Sequence, residues 1–559
     1  MSRNRSRRRT AADIAAMVTM EQSDIEEELS DLEPDEIEAA IPEARTSSDS
    51  SSDYEDDIEE QSSSNIVGRS LTAPSGQKWT TQPPSRRGRV PASNVIRQRP
   101  GLTGYAAQRI TEDIVSSFNI LFDHSMIETL ITETNRQGQR KKGDAWNSID
   151  SNEMNAYLGI CILRGVYRSS NEPVRDLWNK HAGRKIFGET MSINRFEEIR
   201  AMLRFDNRLT RSSRIQRDKL AAVRLLIDGF ISNAKLCYVH NDCVTIDEQL
   251  YPFKGRCFLV QYMPNKPCKY GLKFWILADS SNYYISNIDL YTGKEDSRTR
   301  PLGEHVVMKL SEHLFGSGRN ITCDNFFTSL QLSRELAKKQ LTLVGTIRSH
   351  RREVPHPMRG YQGRELYSSI FAYTIEEATQ LVSYKSKTTK TVLLLSTQHR
   401  SQGLSNDLKK KPESILYYNA TKGGVDAVDE RISTYSVKYR SRRWHVAVFC
   451  DILDMVCYNA FILYTTAFPD YNANKSHRRR CFLTDLGMAL SRTYRQQRSG
   501  PDQTSTAVEP TLAVVQPSVT RKRCYICPRS SDRKSHVACR ICGRNVCSTH
   551  TVFKCINCH

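Results

Sequence analysis

Apolar residues recur at helical intervals through "ITEDIVSSFNILFDHSMIETLITETNRQ" (110–137) and "NEMNAYLGICILRGVYR" (152–168), and again through 192–205 and 224–239. Residues three and four apart share one face of a helix, so the spacing predicts a helical domain over 101–241. The pattern then changes. "DCVTIDEQL" (242–250), "GLKFWILADS" (271–280) and "YYISNIDLY" (283–291) are dense in β-branched and aromatic residues and predict three consecutive strands. An amphipathic helix (302–315), a strand "RNITCDN" (319–325), a second helix (329–340) and a strand "LTLVGTIRS" (341–349) follow.

Three strands, helix, strand, helix, strand is the order of a ribonuclease-H-like α/β sheet, which predicts such a core over 242–350. A Lys/Arg-rich, mostly β insertion follows over 351–414, and 415–436 completes the core. The apolar stretch "WHVAVFCDILDMVCYNAFILYTTAF" (444–468) predicts a second helical part over 437–495. Residues 496–520 read as a polar linker and 521–559 as a cysteine-rich module. Residues 1–100 are rich in Ser, acids and Pro and show little periodicity, so disorder is expected there.

Charge sharpens this picture. The 559-residue chain carries a formal net charge of +19, but residues 21–60 hold 18 acids and one Arg. The rest is therefore a cationic body of +36 behind an acidic leader, and nucleic acid is its natural partner. No membrane is expected, because no apolar run reaches the about 20 residues that span a bilayer. Basic clusters at 3–9, 477–480 and 521–523 suit import into the nucleus.

Candidate chemistry begins with an acid in an apolar setting: Asp324, between the strand residues Ile321–Cys323 and Phe326–Phe327. Asp247 lies inside the first strand, after Val244 and Ile246. Asp426 and Asp429 in "GGVDAVDE" are three apart and share a face if helical. In a ribonuclease-H-like sheet the first and fourth strands are neighbours, which brings Asp247 and Asp324 together, with a later helix supplying a third carboxylate. Clustered carboxylates repel unless a cation neutralises them, and oxygen ligands select Mg²⁺ or Mn²⁺. Two such ions about 3.5–4 Å apart serve phosphodiester chemistry. Glu248 is an alternative ligand, but period-2 alternation points it to the opposite face.

The strings "TIDEQL…FKGRC", "YMPNKPCKYGLK", "NITCDNFFTSL", "VGTIRSHRREVP" and "YYNATKGGVDAVDE", with the terminal cysteine module, closely resemble the piggyBac family of DNA transposases, in family order from about residue 90 onward. The resemblance implies a DDD-type polynucleotidyl transferase that excises and inserts DNA at TTAA through terminal hairpins. Asp247, Asp324 and Asp426 would be its essential metal-holding acids and Asp429 a nearby fourth. It implies contacts to target DNA from Arg348 and Arg351, where the family carries Lys in the second place. It also implies that Trp444 stacks near the cleaved end, with Arg442 and Arg443 beside it on phosphate. The helical parts would form one split domain for dimerisation and DNA binding, in a homodimer acting on transposon ends and TTAA targets. The competing reading is a host-recruited transposase descendant that binds DNA without cutting it.

"CYICPRSSDRKSHVACRICGRNVCSTHTVFKCINCH" offers four metal-ligand pairs, eight ligands in all, enough for two structural Zn²⁺ sites. So few apolar residues intervene that metal must supply the folding energy. Spacing leaves the pairing open, with sequential pairing or replacement by His536 or His559 among the alternatives. The resemblance implies an interleaved cross-brace: Cys524, Cys527, Cys547 and His550 in one site, Cys539, Cys542, Cys555 and Cys558 in the other.

Overall fold

The computed structural model describes residues 70–84, 95–264, 266–293, 300–377 and 379–499, and, towards the C-terminus, 516–525, 527–531, 533–538, 545, 547 and 548. Residues through Arg495 form one compact unit and Gln496–His559 a second.

The first unit is organised around an eleven-stranded mixed sheet. Its strands are β1 (Ser70–Thr72), β2 (Lys78–Thr80), β3 (Cys243–Pro252), β4 (Val260–Tyr262), β5 (Tyr270–Asp279), β6 (Ile285–Leu290), β7 (Asn320–Cys323), β8 (Thr342–Thr346), β9 (Ser369–Thr374), β10 (Gln380–Lys387) and β11 (Lys390–Ser396). The order is β1-β2-β9-β10-β11-β8-β7-β3-β5-β4, with β6 also paired to β5. Antiparallel pairing joins β3 to β5 and β5 to β6, whereas β7 runs parallel to both β3 and β8. Parallel neighbours need crossovers. The helices α6 (Leu302–Ser311) and α7 (Leu330–Lys338) supply them and pack on one face with Val244, Ile246, Trp275, Leu277 and Ile321.

The opposite face carries most of the longer helices: α1 (Ile114–Asn119), α2 (His124–Lys142), α3 (Ser151–Val166), α4 (Ile193–Met202) and α5 (Arg224–Cys237) before the sheet, and α8 (Glu413–Thr421), α9 (Gly424–Thr434), α10 (Trp444–Ala467) and α11 (Arg478–Ser499) after it. Phe118, Leu130, Ile160 and Phe230 from before the sheet share one apolar cluster with Val448, Leu453 and Phe482 from after it. The approach is close where α3 meets α11: a Cβ at Gly159 would lie 2.6 Å from the Gly487 carbonyl oxygen. α10 is long and apolar enough to cross a bilayer, contrary to the sequence expectation, but 89% of its apolar window is buried within the protein. It is apolar on all sides because protein surrounds it on all sides.

Several boundaries differ from the sequence reading. The periodic stretch 110–137 is two helices, because Asp113 and Asp123 each cap a new N-terminus, accepting from Val115 N–H and Met126 N–H. The insertion strands β9, β10 and β11 continue the central sheet, with β11 antiparallel to β8. Disorder over 1–100 does not hold for 70–84: β1 and β2 form a hairpin that adds to β9. One side chain explains it. Trp79 is fully buried, and its Nε1 donates to the Glu353 carbonyl oxygen at 3.0 Å, so the hairpin borrows a core made elsewhere. Residues 1–69, including the acidic leader, lie outside the described residues.

In the second unit, a strand Gln516–Arg523 begins inside the expected linker and pairs antiparallel with Lys534–Ala538.

Candidate active site

The parallel register of β3 on β7 pairs Ile246 with Cys323. The next residues along the two strands are Asp247 and Asp324, so both acids emerge at the same end of the sheet. Side chains alternate across a strand. Ile246 and Cys323 therefore fill the core under α6 and α7, while the two acids turn to the face that carries α9. Phe326 and Phe327, which flank Asp324 in sequence, return to the first face and pack on Trp275, Phe326 stacked at 5.4 Å and Phe327 edge-on.

α9 sits directly on β3. A Cβ at Gly424 would lie 2.5 Å from Thr245 Oγ1, and that hydroxyl donates to the Thr421 carbonyl oxygen at 2.6 Å. Glycine permits this approach, and Asp426 then falls in the first turn of α9, where the helix dipole favours a carboxylate. Asp429, one turn on, accepts from Gln249 Nε2 at 3.1 Å.

The electrostatics are those of crowded acids. Burial, then the charges of Glu248, Asp324 and Asp426, push the Asp247 carboxyl up to about 8. Burial and Glu248 also raise Asp324, opposed by hydrogen bonds from the Phe326 and Phe327 N–H groups and by the Arg348 charge. Burial raises Asp429, against the Gln249 hydrogen bond and the charge of Lys266. Oxygen donors crowded together and pushed towards their protonated forms, Asp247 to about 8, fit a divalent cation.

The residues named for DNA separate into two groups. Arg348 is half-buried, with Nε 3.4 Å from Asn325 Oδ1, and Arg351 follows it in the same turn. Arg442 is exposed; Trp444 is half-buried at the start of α10, edge-on to Phe258 at 6.0 Å. Arg443 departs from expectation. It is buried and donates to the carbonyl oxygens of Arg200, Ala201 and Leu203 at the end of α4. Its guanidinium caps that helix end, because orphan carbonyls at a C-terminus take cationic donors.

A family model described as "Transposase IS4" matches residues 114–461. The chain belongs to the piggyBac-type transposase family. It is 25% identical over 377 residues to the human PiggyBac transposable element-derived protein 2, covering 64% of this chain and 62% of that relative. It is 25% identical over 382 residues to the human PiggyBac transposable element-derived protein 3, covering 65% and 62%. The chain thus spans about three-fifths of the length of these curated relatives. Among solved structures, the piggyBac transposase synaptic complex with hairpin DNA aligns with a TM-score of 0.69 and 30% identity, covering 83% of this chain and all of that one.

For a piggyBac-type transposase, sequence reasoning missed three residues around the acids and set a fourth, Glu248, aside. Glu248 pairs opposite Trp275 and so leaves from the other face, as alternation requires. Its charge nevertheless reaches Asp247 and Asp324, because β7 stops at Cys323 and leaves this end of β3 uncovered. Lys266 Nζ lies 3.6 Å from Glu248 Oε1. Lys273 Nζ lies 3.9 Å from the Trp275 ring centroid, and burial lowers its pKa against the pull of Glu248. Both lysines stand in "YMPNKPCKYGLK", a string with no acid of its own to suggest their place. Gln249, within two residues of Asp247, gave no signal beyond its polarity in a buried strand.

In the second unit the thiols of Cys524, Cys527 and Cys547 lie within 4.8 Å of one another, with Cys527 and Cys547 Sγ 3.6 Å apart. Three soft donors so close fit a tetrahedral ion short of one ligand. His550, Cys539, Cys542, Cys555 and Cys558 lie outside the described residues.

Proposed function

We propose that the protein is a cut-and-paste DNA transposase that excises and inserts DNA at TTAA. The observation that carries this reading is the convergence of Asp247, Asp324 and Asp426, from three separate segments, at one open end of the sheet. The strand order β6-β5-β3-β7-β8, antiparallel then parallel, supports a ribonuclease-H-like core.

Asp247, Asp324 and Asp426 would hold Mg²⁺ or Mn²⁺, which when bound supplies charge for a reacting phosphate and acidifies a nucleophilic hydroxyl or water. Asp429 assists from the next turn of α9. Arg348, beside Asp324, and Arg351 sit where a phosphate of target DNA can be gripped, and Arg offers a bidentate fork there. Trp444, half-buried, would offer its aromatic face for stacking on an unpaired base at a cleaved end, with Arg442 exposed beside it for phosphate. Cleavage consumes water and frees a 3′-hydroxyl; that hydroxyl closes the hairpin and, after reopening, attacks target DNA.

The helices before and after the sheet, sharing one core, act as the split dimerisation and DNA-binding domain of a homodimer working in the nucleus. Of the basic clusters considered for import, that at 477–480 is partly spent in the fold. Arg478 donates to the Tyr471 and Pro469 carbonyl oxygens, and Arg479 lies over the Tyr435 ring. Cys524, Cys527, Cys547 and His550 would hold one Zn²⁺ and Cys539, Cys542, Cys555 and Cys558 another, in a module that binds transposon ends.

The deciding experiment is plasmid excision by the wild type and by Asp324→Asn. Release of the element by the wild type alone is the expected result. Failure of both, with intact binding to element ends, would replace the enzyme with a host-recruited DNA-binding protein.

A further inference from the structure

Below the acid cluster, and outside the role given to any residue so far, lies a second set of buried carboxylates on α10. Asp451 is fully buried and Asp454 nearly so. Asp454 is accounted for: it accepts from Ser436 Oγ and from Val437 N–H at 2.8 Å, fastening the chain between α9 and α10. Asp451 is not accounted for in this way. Its Oδ1 lies 3.4 Å from Gln249 Nε2, and its Oδ2 is buried with no hydrogen-bond partner among the described residues. Gln249 is itself 2% exposed, and its Oε1 is likewise buried without a partner among them. The same Gln249 Nε2 donates to Asp429. One amide therefore joins an acid of the candidate site to an acid in the core.

We propose that Asp451 is a positioning residue for Asp429, acting through the Gln249 amide. The physical case starts from protonation. An ionised Asp451 would be a buried charge facing Asp454 and Asp429, with Lys438 the cation nearby, and burial together with those two acids favours its neutral form. A neutral carboxyl owns one O–H donor. Protonation turns Oδ2 from an acceptor that nothing serves into a donor, and Gln249 Oε1 is an acceptor that nothing serves, on a residue already in contact. With Oε1 engaged by Asp451, the amide cannot reverse, and its N–H stays aimed at Asp429. Reversed, the amide would present an oxygen to a carboxylate, and Asp429 would swing away from Asp426. The device is the outer layer of a metal-binding site: a buried donor that orients an amide, which orients a carboxylate.

This inference rests on the proposed transposase reading, so its test carries a readout that needs no excision. The full chain and its Asp451→Asn, Asp451→Leu and Gln249→Leu variants are compared in Mn²⁺ affinity, plasmid excision, binding to element ends and thermal unfolding. Asn can still donate to Gln249 Oε1, so Asp451→Asn should stay within about threefold of wild type in both Mn²⁺ affinity and excision. Asp451→Leu and Gln249→Leu should each lose about 10- to 100-fold in both, with end binding unchanged. A folded Asp451→Leu protein with wild-type Mn²⁺ affinity overturns the proposal. So does an Asp451→Asn protein as defective as the Leu variant, since charge and not a donor would then matter. If Asp451→Leu fails to fold, Gln249→Leu and Asp451→Asn decide by the same criteria. If the wild type binds Mn²⁺ but never excises, the transposase reading fails while the Mn²⁺ comparison still judges this one.

Discussion

Asp247 and Asp324 are register equivalents: each is the residue immediately beyond a hydrogen-bonded pair, Ile246 and Cys323, on adjacent parallel strands. Nothing local draws them together. Loss of either should reduce excision by about 10³-fold or more, because the remaining acids cannot by themselves hold the charge that phosphodiester transfer develops. The variants should fold. Asp247→Asn should moreover unfold at a higher temperature than wild type in metal-free buffer at pH 8, by about 1 °C for each kcal/mol of repulsion removed from a unit of this size. Calorimetry with and without chelator checks this, and a lower midpoint for the variant would contradict the electrostatic account.

The same crowding sets a pH dependence. Asp247 keeps its proton to about pH 8 in the fold, whereas an unfolded Asp loses it near 3.8. Between those values the folded state binds more protons, so stability of the metal-free protein should fall as pH rises across that window. Divalent ions must displace that proton, so apparent Mn²⁺ affinity should rise with pH up to about 8, by about tenfold per unit if one proton leaves. Titration of Mn²⁺ at pH 6, 7 and 8 measures the slope, and Asp247→Asn should flatten it.

Arg442 and Arg443 are neighbours in sequence with opposite fates. Arg443 spends its donors on backbone carbonyls at the end of α4, two of which Arg204 also serves, so Arg443→Ala should cost about 1–3 kcal/mol of stability by removing buried donors from that helix end. Arg442 is exposed, so Arg442→Ala should leave the unfolding midpoint nearly unchanged. It should weaken DNA binding across sequences and shallow the salt dependence by about one counterion. Urea denaturation and binding at several salt concentrations separate the two.

Much of the architecture was legible because hydrophobic spacing reports faces. β3, β5 and β7 stood out by their density of β-branched and aromatic residues, and α3 and α5 by apolar residues at helical spacing. The acids were legible for a related reason: a carboxylate at an apolar strand end is costly to hold unless a cation, a proton or a hydrogen-bond donor answers it. Three kinds of feature were not. Trp79 is one large residue in a polar stretch, and it folds only because a finished core receives it. Arg443 looks in sequence like any member of "KYRSRR", and only the position of α4 makes it internal. Asp451 sits in a helix apolar enough to pass for a membrane span, where period assigns a face but not a partner.

The hairpin of β1 and β2 gives a direct test of how much the N-terminal region contributes. Trp79 fills the core between β9 and the segment after β8, and its indole N–H reaches the Glu353 carbonyl; Ser75 N–H also donates to the Arg352 carbonyl at 2.9 Å. The hairpin thus buttresses the segment that carries Arg348 and Arg351. Trp79→Ala should lower stability by about 3–5 kcal/mol, the usual consequence of emptying a buried aromatic site. Removing residues 1–69 should not, since the hairpin stays. Removing residues 1–84 should match Trp79→Ala in stability and weaken capture of target DNA as well, because the arginine turn loses its backing. Equal midpoints for the two truncations would show that the sheet does not need this edge, and the link from Trp79 to the arginine turn would have to be abandoned.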